Sequence, residues 1–291
     1  MSFLSQLNLT SNVQKSNMSD TVFEGLRQFI YDKTGIYFPD NKKYLLESRV
    51  GQRVHALGIR DYGEYVSRLR NGMAEQEIPQ LVNVITINET FFYRNEPQLE
   101  IVENELLPEI IKRIRETGKR TVRIWSAASS SGEEPYTIAL IVKEKLQPAN
   151  PDIRFEIVGS DINTNVLNSA RKATYRNYSI RKVPAHILKK YFIEKGEDYT
   201  LQPPITNMVE FRKVNLFDRN MLRSMKQFDI IFCANVLIYF DTKSKRQVIG
   251  SLYDSLNPGG FLLLGYSESL YGLSQAFKPL HFTKTIAYIK E

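Results

Sequence analysis

The sequence predicts an α/β protein built on a mostly parallel sheet, preceded by a small all-helical domain, and three observations predict it. Beyond about residue 105, apolar runs of strand length alternate with helical patterns, the alternation that yields a parallel sheet covered on both faces. Before residue 88, apolar residues recur at three- and four-residue spacing. At the far end, Phe277 to Phe282 and Thr285 to Ile289 lie close enough to pair as an antiparallel hairpin. With 291 residues the chain is long enough for both units to bury cores of their own.

Residues 1–19, polar and rich in Ser and Asn, read as a flexible tail, without the apolar core of a signal peptide or the Arg-rich pattern of a transit peptide. Residues 20–88 form the helical domain. Phe23, Leu26, Phe29 and Ile30 mark one helix, and Tyr44, Leu45, Val50, Val54 and Leu57 mark a second. Arg49 and Arg53, four apart, project from one face of that second helix, either as a solvated face or as a docking surface. Residues 89–105 link the domains. In the main domain, residues 106–291, strands are expected at Thr121–Ala127, Phe155–Ile162, Val209–Val214, Phe228–Ala234 and Gly260–Gly265, the last after an Asn257-Pro258-Gly259-Gly260 turn. Helices are expected at Glu133–Leu146, Thr164–Ala173 and Thr242–Leu256. The alternation breaks at about 174–208, which reads as an inserted antiparallel β subdomain.

Several function classes fall away. The longest apolar runs are strand-sized, well short of the roughly 20 residues that cross a bilayer. One cysteine, Cys233, excludes an internal disulfide, and three scattered histidines offer no zinc spacing. The expected protein is cytoplasmic, without a metal. Lys and Arg exceed Asp and Glu by 39 to 32, which favours an anionic partner without identifying it.

Ligands of open parallel sheets bind beyond the carboxyl ends of the strands, so the residues after each strand matter most. After the first comes Ser126-Ala127-Ala128-Ser129-Ser130-Ser131-Gly132-Glu133-Glu134-Pro135-Tyr136. Its small residues permit close approach of a ligand. It lacks a P-loop lysine, and carboxylates at the helix N-terminus repel phosphate and suit a cation, or simply complement the helix dipole. After the second, Asp161 stands where a ribose hydroxyl pair is held, unless it caps the next helix. After the later strand, Asn235 interrupts an apolar run, and a buried unpaired amide is costly, so it meets a ligand or a backbone group.

Six segments in order, Asn88-Glu89-Thr90-Phe91-Phe92-Tyr93-Arg94, Ile124-Trp125-Ser126-Ala127 through Tyr136, Ser160-Asp161-Ile162, Val214-Asn215-Leu216, Cys233-Ala234-Asn235-Val236-Leu237-Ile238-Tyr239-Phe240 and Gly265-Tyr266-Ser267-Glu268-Ser269, resemble the motifs of the CheR chemoreceptor methyltransferases. The resemblance covers nearly everything from Asp20 onward. It implies a Rossmann-like S-adenosylmethionine methyltransferase sheet closed by the terminal antiparallel hairpin. It implies that Asn88, Thr90 and Arg94 enclose S-adenosylmethionine from the linker. Glu134 and Glu133 contact it, Asp161 holds its ribose, and Asn215-Leu216 with Asn235-Val236 border it; S-adenosylhomocysteine is the product. Ala234 departs from the arginine usual in the family's Cys-Arg-Asn-Val.

The implied acceptor is a glutamate carboxylate, ionised at neutral pH, so no general base is needed and a catalytic His, Cys or metal is not required. Arg94 is the candidate to orient that carboxylate, or else to form an interdomain salt bridge. Tyr239 lines the transfer channel or is an ordinary core residue. Arg49 and Arg53 are expected to attract the cytoplasmic helical domain of a chemoreceptor. In some members the insert also tethers the enzyme to a receptor's C-terminal peptide, an optional second partner here. A monomer without nucleic acid is expected. The alternatives are a nucleic-acid methyltransferase, disfavoured because Asn235-Val236-Leu237-Ile238 is not Asn-Pro-Pro-aromatic, and a non-catalytic S-adenosylmethionine-binding module. The first loop lacks the glycine spacing of nicotinamide enzymes.

Overall fold

The structure, a computed structural model, describes residues 17–291, so most of the expected tail lies outside the described residues. Its last residues belong to the helical domain instead. Met18 is buried there and donates its amide to the Glu47 carboxylate, and Ser19 caps the first helix by accepting from the Val22 amide. Four helices build this domain: α1 (Asp20–Thr34), α2 (Lys43–Ala56), α3 (Tyr62–Arg68) and α4 (Ala74–Ile85). Phe23, Leu26, Ile30, Leu46, Val50, Val54, Tyr65, Leu81 and Ile85 form its core. On α2 the buried stripe is Leu46, Val50 and Val54 at four-residue spacing. Tyr44 and Leu57, expected in that stripe, face outward at 69% and 38% exposure, Tyr44 because it sits on the opposite side of the helix and Leu57 because it lies just past the helix end.

The linker is partly helical. After an irregular stretch, α5 (Glu96–Ile101) begins with Pro97 in its first turn and runs on into α6 (Leu107–Glu116), whose Ile110, Ile111 and Ile114 pack under the sheet. The main sheet follows: β1 (Thr121–Ala127), α7 (Glu133–Ile141), β2 (Arg154–Asp161), then, past an insert, β6 (Val209–Lys213), β7 (Phe228–Cys233), β8 (Leu256–Leu264), β9 (Phe277–His281) and β10 (Ile286–Lys290). The order is β6-β2-β1-β7-β8-β10-β9, with β10 antiparallel to both neighbours. This is the fold class read from the sequence. The expected Asn257–Gly260 turn is instead a bulge inside β8: Phe228 faces Leu256 and Ile230 faces Phe261, and Arg113 donates to the Gly259 carbonyl to hold the extra residues. The insert carries β3 (Thr174–Tyr175), β4 (Phe192–Lys195) and β5 (Asp198–Leu201), antiparallel in the order β3-β5-β4, with short helices at Asn177–Ile180 and Ala185–Tyr191.

Strand β1 leads to β2 on one side while its other neighbour, β7, leads away to β8, so the connections diverge between them and the carboxyl ends of β1, β2, β6 and β7 open one crevice. The helical domain lies over that edge. Ile36 bridges Phe240, the Tyr37 amide donates to the Tyr239 carbonyl at 2.9 Å, and the Asn215 side chain donates to the Lys33 carbonyl at 2.7 Å. Gly35 ends α1 at φ 74°, and a Cβ there would stand 2.6 Å from the Phe217 ring, so only glycine permits both the turn and this approach.

Candidate active site

The first wall of the crevice is the loop from β1 to α7. Ala128 and Ser130 take left-handed backbone conformations at φ 60° and 50°. The Ser130 amide donates to the Asp161 carboxylate at 2.9 Å, and its hydroxyl to the Asn88 carbonyl at 2.8 Å. Among the non-glycine residues at positive φ, Ala128, Ser130 and Asn235 border this crevice; strain of about 1–3 kcal/mol each is concentrated where backbone must face a ligand. The second wall is the end of β2. Asp161 is buried and also accepts the Asn163 amide at 2.9 Å. It does not cap the next helix, because Asn163 does so, accepting from Asn165 and Val166. Burial raises the Asp161 pKa, while the amides of Asn163, Ser130 and Ile162 pull it back.

Glu134 stands in the first turn of α7 and accepts the Ser126 hydroxyl at 2.7 Å. Burial pushes its carboxyl up to about 7, against the Ser126 bond and the Arg94 charge, while Glu268 adds to the rise. Glu133, one residue earlier, points elsewhere: it is 2% exposed, accepts the hydroxyls of Ser131 and Ser179, and does not line the cleft. A single step along a helix turns a side chain by about 100°, so only one of two adjacent carboxylates can face the ligand.

The third wall follows β7. Asn235 sits at φ 60°, with its amide donated to Glu268 at 2.7 Å. The same carboxylate accepts the Gly265 amide at 2.8 Å and the Ile238 amide at 3.3 Å, tying the loop after β7 to the end of β8. Gly265 is required there, since an added Cβ would lie 2.8 Å from the Asn235 amide nitrogen. Tyr239 is half-buried, and its hydroxyl is held above its ordinary pKa by burial, with the charges of Arg49 and Arg94 partly offsetting that.

Arg49, Asn88, Thr90, Arg94, Glu134, Asp161, Asn215, Leu216, Asn235, Val236 and Tyr239 thus line one cleft. Asn215 has structural duties as well: besides Lys33, it accepts the Phe217 amide. Arg94 makes its contacts with the Glu89 carbonyl at 2.8 Å and the Phe91 ring, not with an acidic partner across the domains. Arg53 is the exception to the expected grouping. Its guanidinium is bound in two-pronged fashion to Glu77 at 2.8 Å, Tyr65 donates to the same carboxylate, and Arg53 does not line the cleft. With its charge committed to a carboxylate of 4% exposure, it is unsuited to the receptor contact expected of it.

Sequence reasoning left out Ile36, Tyr37 and Phe38, which close the cleft from the helical domain, and Gln98, which donates to the Leu264 carbonyl at 2.9 Å. Glu268 lies within the last of the family-like segments, and a carboxylate three residues beyond a glycine at a strand end is the sequence signal for its role. The residues present suit S-adenosylmethionine. Two carboxylates, Glu134 and Asp161, fit a cation and a ribose diol, and the Ser129 hydroxyl, buried in the same wall, has no hydrogen-bond partner among the described residues.

Comparison with known proteins agrees with this geometry. Residues 21–86 match the CheR methyltransferase all-alpha domain, and residues 88–286 match the CheR methyltransferase SAM binding domain. The chain is 37% identical to chemotaxis protein methyltransferase 2 of Vibrio cholerae over 274 residues, 94% of each protein. It is 32% identical to a chemotaxis protein methyltransferase of Borreliella burgdorferi, covering 92% of this chain and 93% of that one. With chemotaxis protein methyltransferase 1 of Pseudomonas aeruginosa the identity is 35%, over 91% of this chain and 96% of the relative. A helical domain and a methyltransferase sheet, both matched to one family and meeting at a cleft suited to a sulfonium nucleoside, make this chain a member of the CheR methyltransferase family, an S-adenosylmethionine-dependent methyltransferase.

Proposed function

We propose that the chain methylates glutamate side chains on the cytoplasmic helical domain of chemotaxis receptors, giving methyl esters and S-adenosylhomocysteine. One observation carries this reading: the cleft separates its charges. Glu134 and Asp161 lie on the walls beside the strand ends, while the cations Lys42, Arg49 and Arg94 come from the helical domain and the linker, as does Glu89, whose carboxylate is taken up by the Tyr178 hydroxyl. An anionic wall suits the donor and a cationic rim suits an anionic acceptor. The names of the relatives support the chemotaxis assignment.

S-adenosylmethionine, when bound, supplies a methyl group already activated on a sulfonium. Glu134 and Asp161, aided by the Asn235 loop, hold the donor side, and Arg94 orients the acceptor carboxylate. That carboxylate is the nucleophile in its ordinary ionised form, so no residue needs to take a proton. Catalysis then rests on alignment and on replacing the acceptor's water shell; well-oriented reactants gain roughly 7–11 kcal/mol. Tyr37, Ile87 and Ile238 at the mouth exclude water from the approach. Incubation with methyl-labelled S-adenosylmethionine and receptor-containing membranes, followed by mild alkali, tests the assignment. Volatile labelled methanol is expected from glutamate esters, and label that resists alkali would point to methylated nitrogen and reject it.

A further inference from the structure

We infer that Arg181, on the inserted subdomain and outside the cleft, is a positioning residue for methyl transfer, because it fixes the segment Glu89–Arg94 and through it Arg94. The inference rests on the reading of Arg94 as the group that orients the acceptor.

The Arg181 guanidinium lies 3.6 Å from the Phe91 ring centre and 3.8 Å from that of Tyr178, so it is clasped between two aromatic side chains. Phe91 belongs to the linker and Tyr178 to the insert, and their rings also meet edge-on at 6.3 Å. The Tyr178 hydroxyl donates to the Glu89 carboxylate, and the Phe92 amide donates to the Ser179 carbonyl at 2.9 Å. Behind them the Phe92 ring is buried edge-on against Tyr175 and Phe192 of the insert, at 4.8 and 5.4 Å. Arg94 rests on these residues: it donates to the Glu89 carbonyl and lies 5.7 Å above Phe91. Both observed supports of the Arg94 side chain are therefore residues that the insert holds. Tyr93, at φ 58°, adds a backbone bend immediately before Arg94 that must be held from outside.

Arginine is the side chain suited to this clasp, since its planar, weakly hydrated cation stacks on aromatic faces while remaining partly in water. Arg181 is exposed and touches no cleft wall other than Phe91, so its removal leaves the donor site of Glu134 and Asp161 intact. What it disturbs is alignment, and a displacement of about 1 Å at an orienting group can cost on the order of a hundredfold in rate.

The test is steady-state methylation of receptor-containing membranes by the full chain, with calorimetric titration of S-adenosylhomocysteine. Arg181→Ala is expected to lower kcat about tenfold with product affinity changed less than about twofold, and Arg181→Lys to restore part of the loss. Tyr178→Phe keeps the rings and releases only Glu89, so it should give a smaller fall in kcat. In an Arg94→Ala background, adding Arg181→Ala should change nothing further, because the second residue acts through the first. A wild-type kcat for Arg181→Ala, or losses that multiply in the double variant, would overturn the inference. A wild-type kcat for Arg94→Ala would instead overturn the reading of Arg94 on which it rests.

Discussion

In the proposed arrangement, Glu134 is the carboxylate whose surroundings matter most to the donor side. With its carboxyl raised to about 7 by burial in the open cleft, it is partly protonated at neutral pH, whereas a bound cation favours its charged form. Affinity for S-adenosylmethionine should therefore rise with pH through about 7, and binding near that pH should release a proton. Calorimetry in buffers of different ionisation enthalpy measures both, and Glu134→Gln should weaken binding and abolish the pH dependence. Arg53 shows the opposite kind of residue. Removing it leaves Glu77 buried without its partner, so Arg53→Ala should cost about 2–3 kcal/mol in urea unfolding, less than a fully buried pair because the arginine side chain keeps 19% exposure. Glu134, Asp161 and Asn235 were legible in the sequence because each interrupts or follows an apolar strand. The fate of Arg53 was not, since its partner lies 24 residues away on another helix and local spacing carries no trace of it.

At the scale of elements, the site is a set of loops each held by a neighbour. Glu268 illustrates this, gathering three amides from the ends of two strands. Glu268→Ala should lower stability by about 1–3 kcal/mol through those unpaired amides and also weaken S-adenosylmethionine binding, as the Asn235 loop is freed. Reduced stability with unchanged binding would show that the loop keeps its shape unaided. Strands β1, β2, β6 and β7 were readable to within a residue or so at their ends, β7 as a continuous apolar run and β6 from alternation, with Val209 and Phe211 between charged residues. The start of β8 was not. Asn257-Pro258-Gly259-Gly260 has turn chemistry, and only the long-range bond from Arg113 and the pairing with β7 make it a bulge within a strand.

On the scale of the whole molecule, the cleft exists because a helical domain is laid over the open edge of a parallel sheet. Lys42 and Arg49 come from the helical domain, Glu134 and Asp161 from the sheet, and Glu89 and Arg94 from the linker between them. The net charge of +7 favours encounter with an acidic helical partner, and Arg49, whose side chain donates to the Ile85 carbonyl at 2.6 Å while lining the cleft, stands at the join. Arg49→Glu should lower the rate of receptor methylation about tenfold or more while leaving binding of S-adenosylhomocysteine within about twofold, and the wild-type rate should fall as salt is raised. Equal loss of both activities would place Arg49 on the donor side. The assembly rests on the donor lying where β1, β2 and β7 end, and a crystal structure with S-adenosylhomocysteine tests that most directly. The ligand is expected in this cleft, against Glu134, Asp161 and Asn235 together; a ligand seated elsewhere, or touching none of these three, would contradict the account.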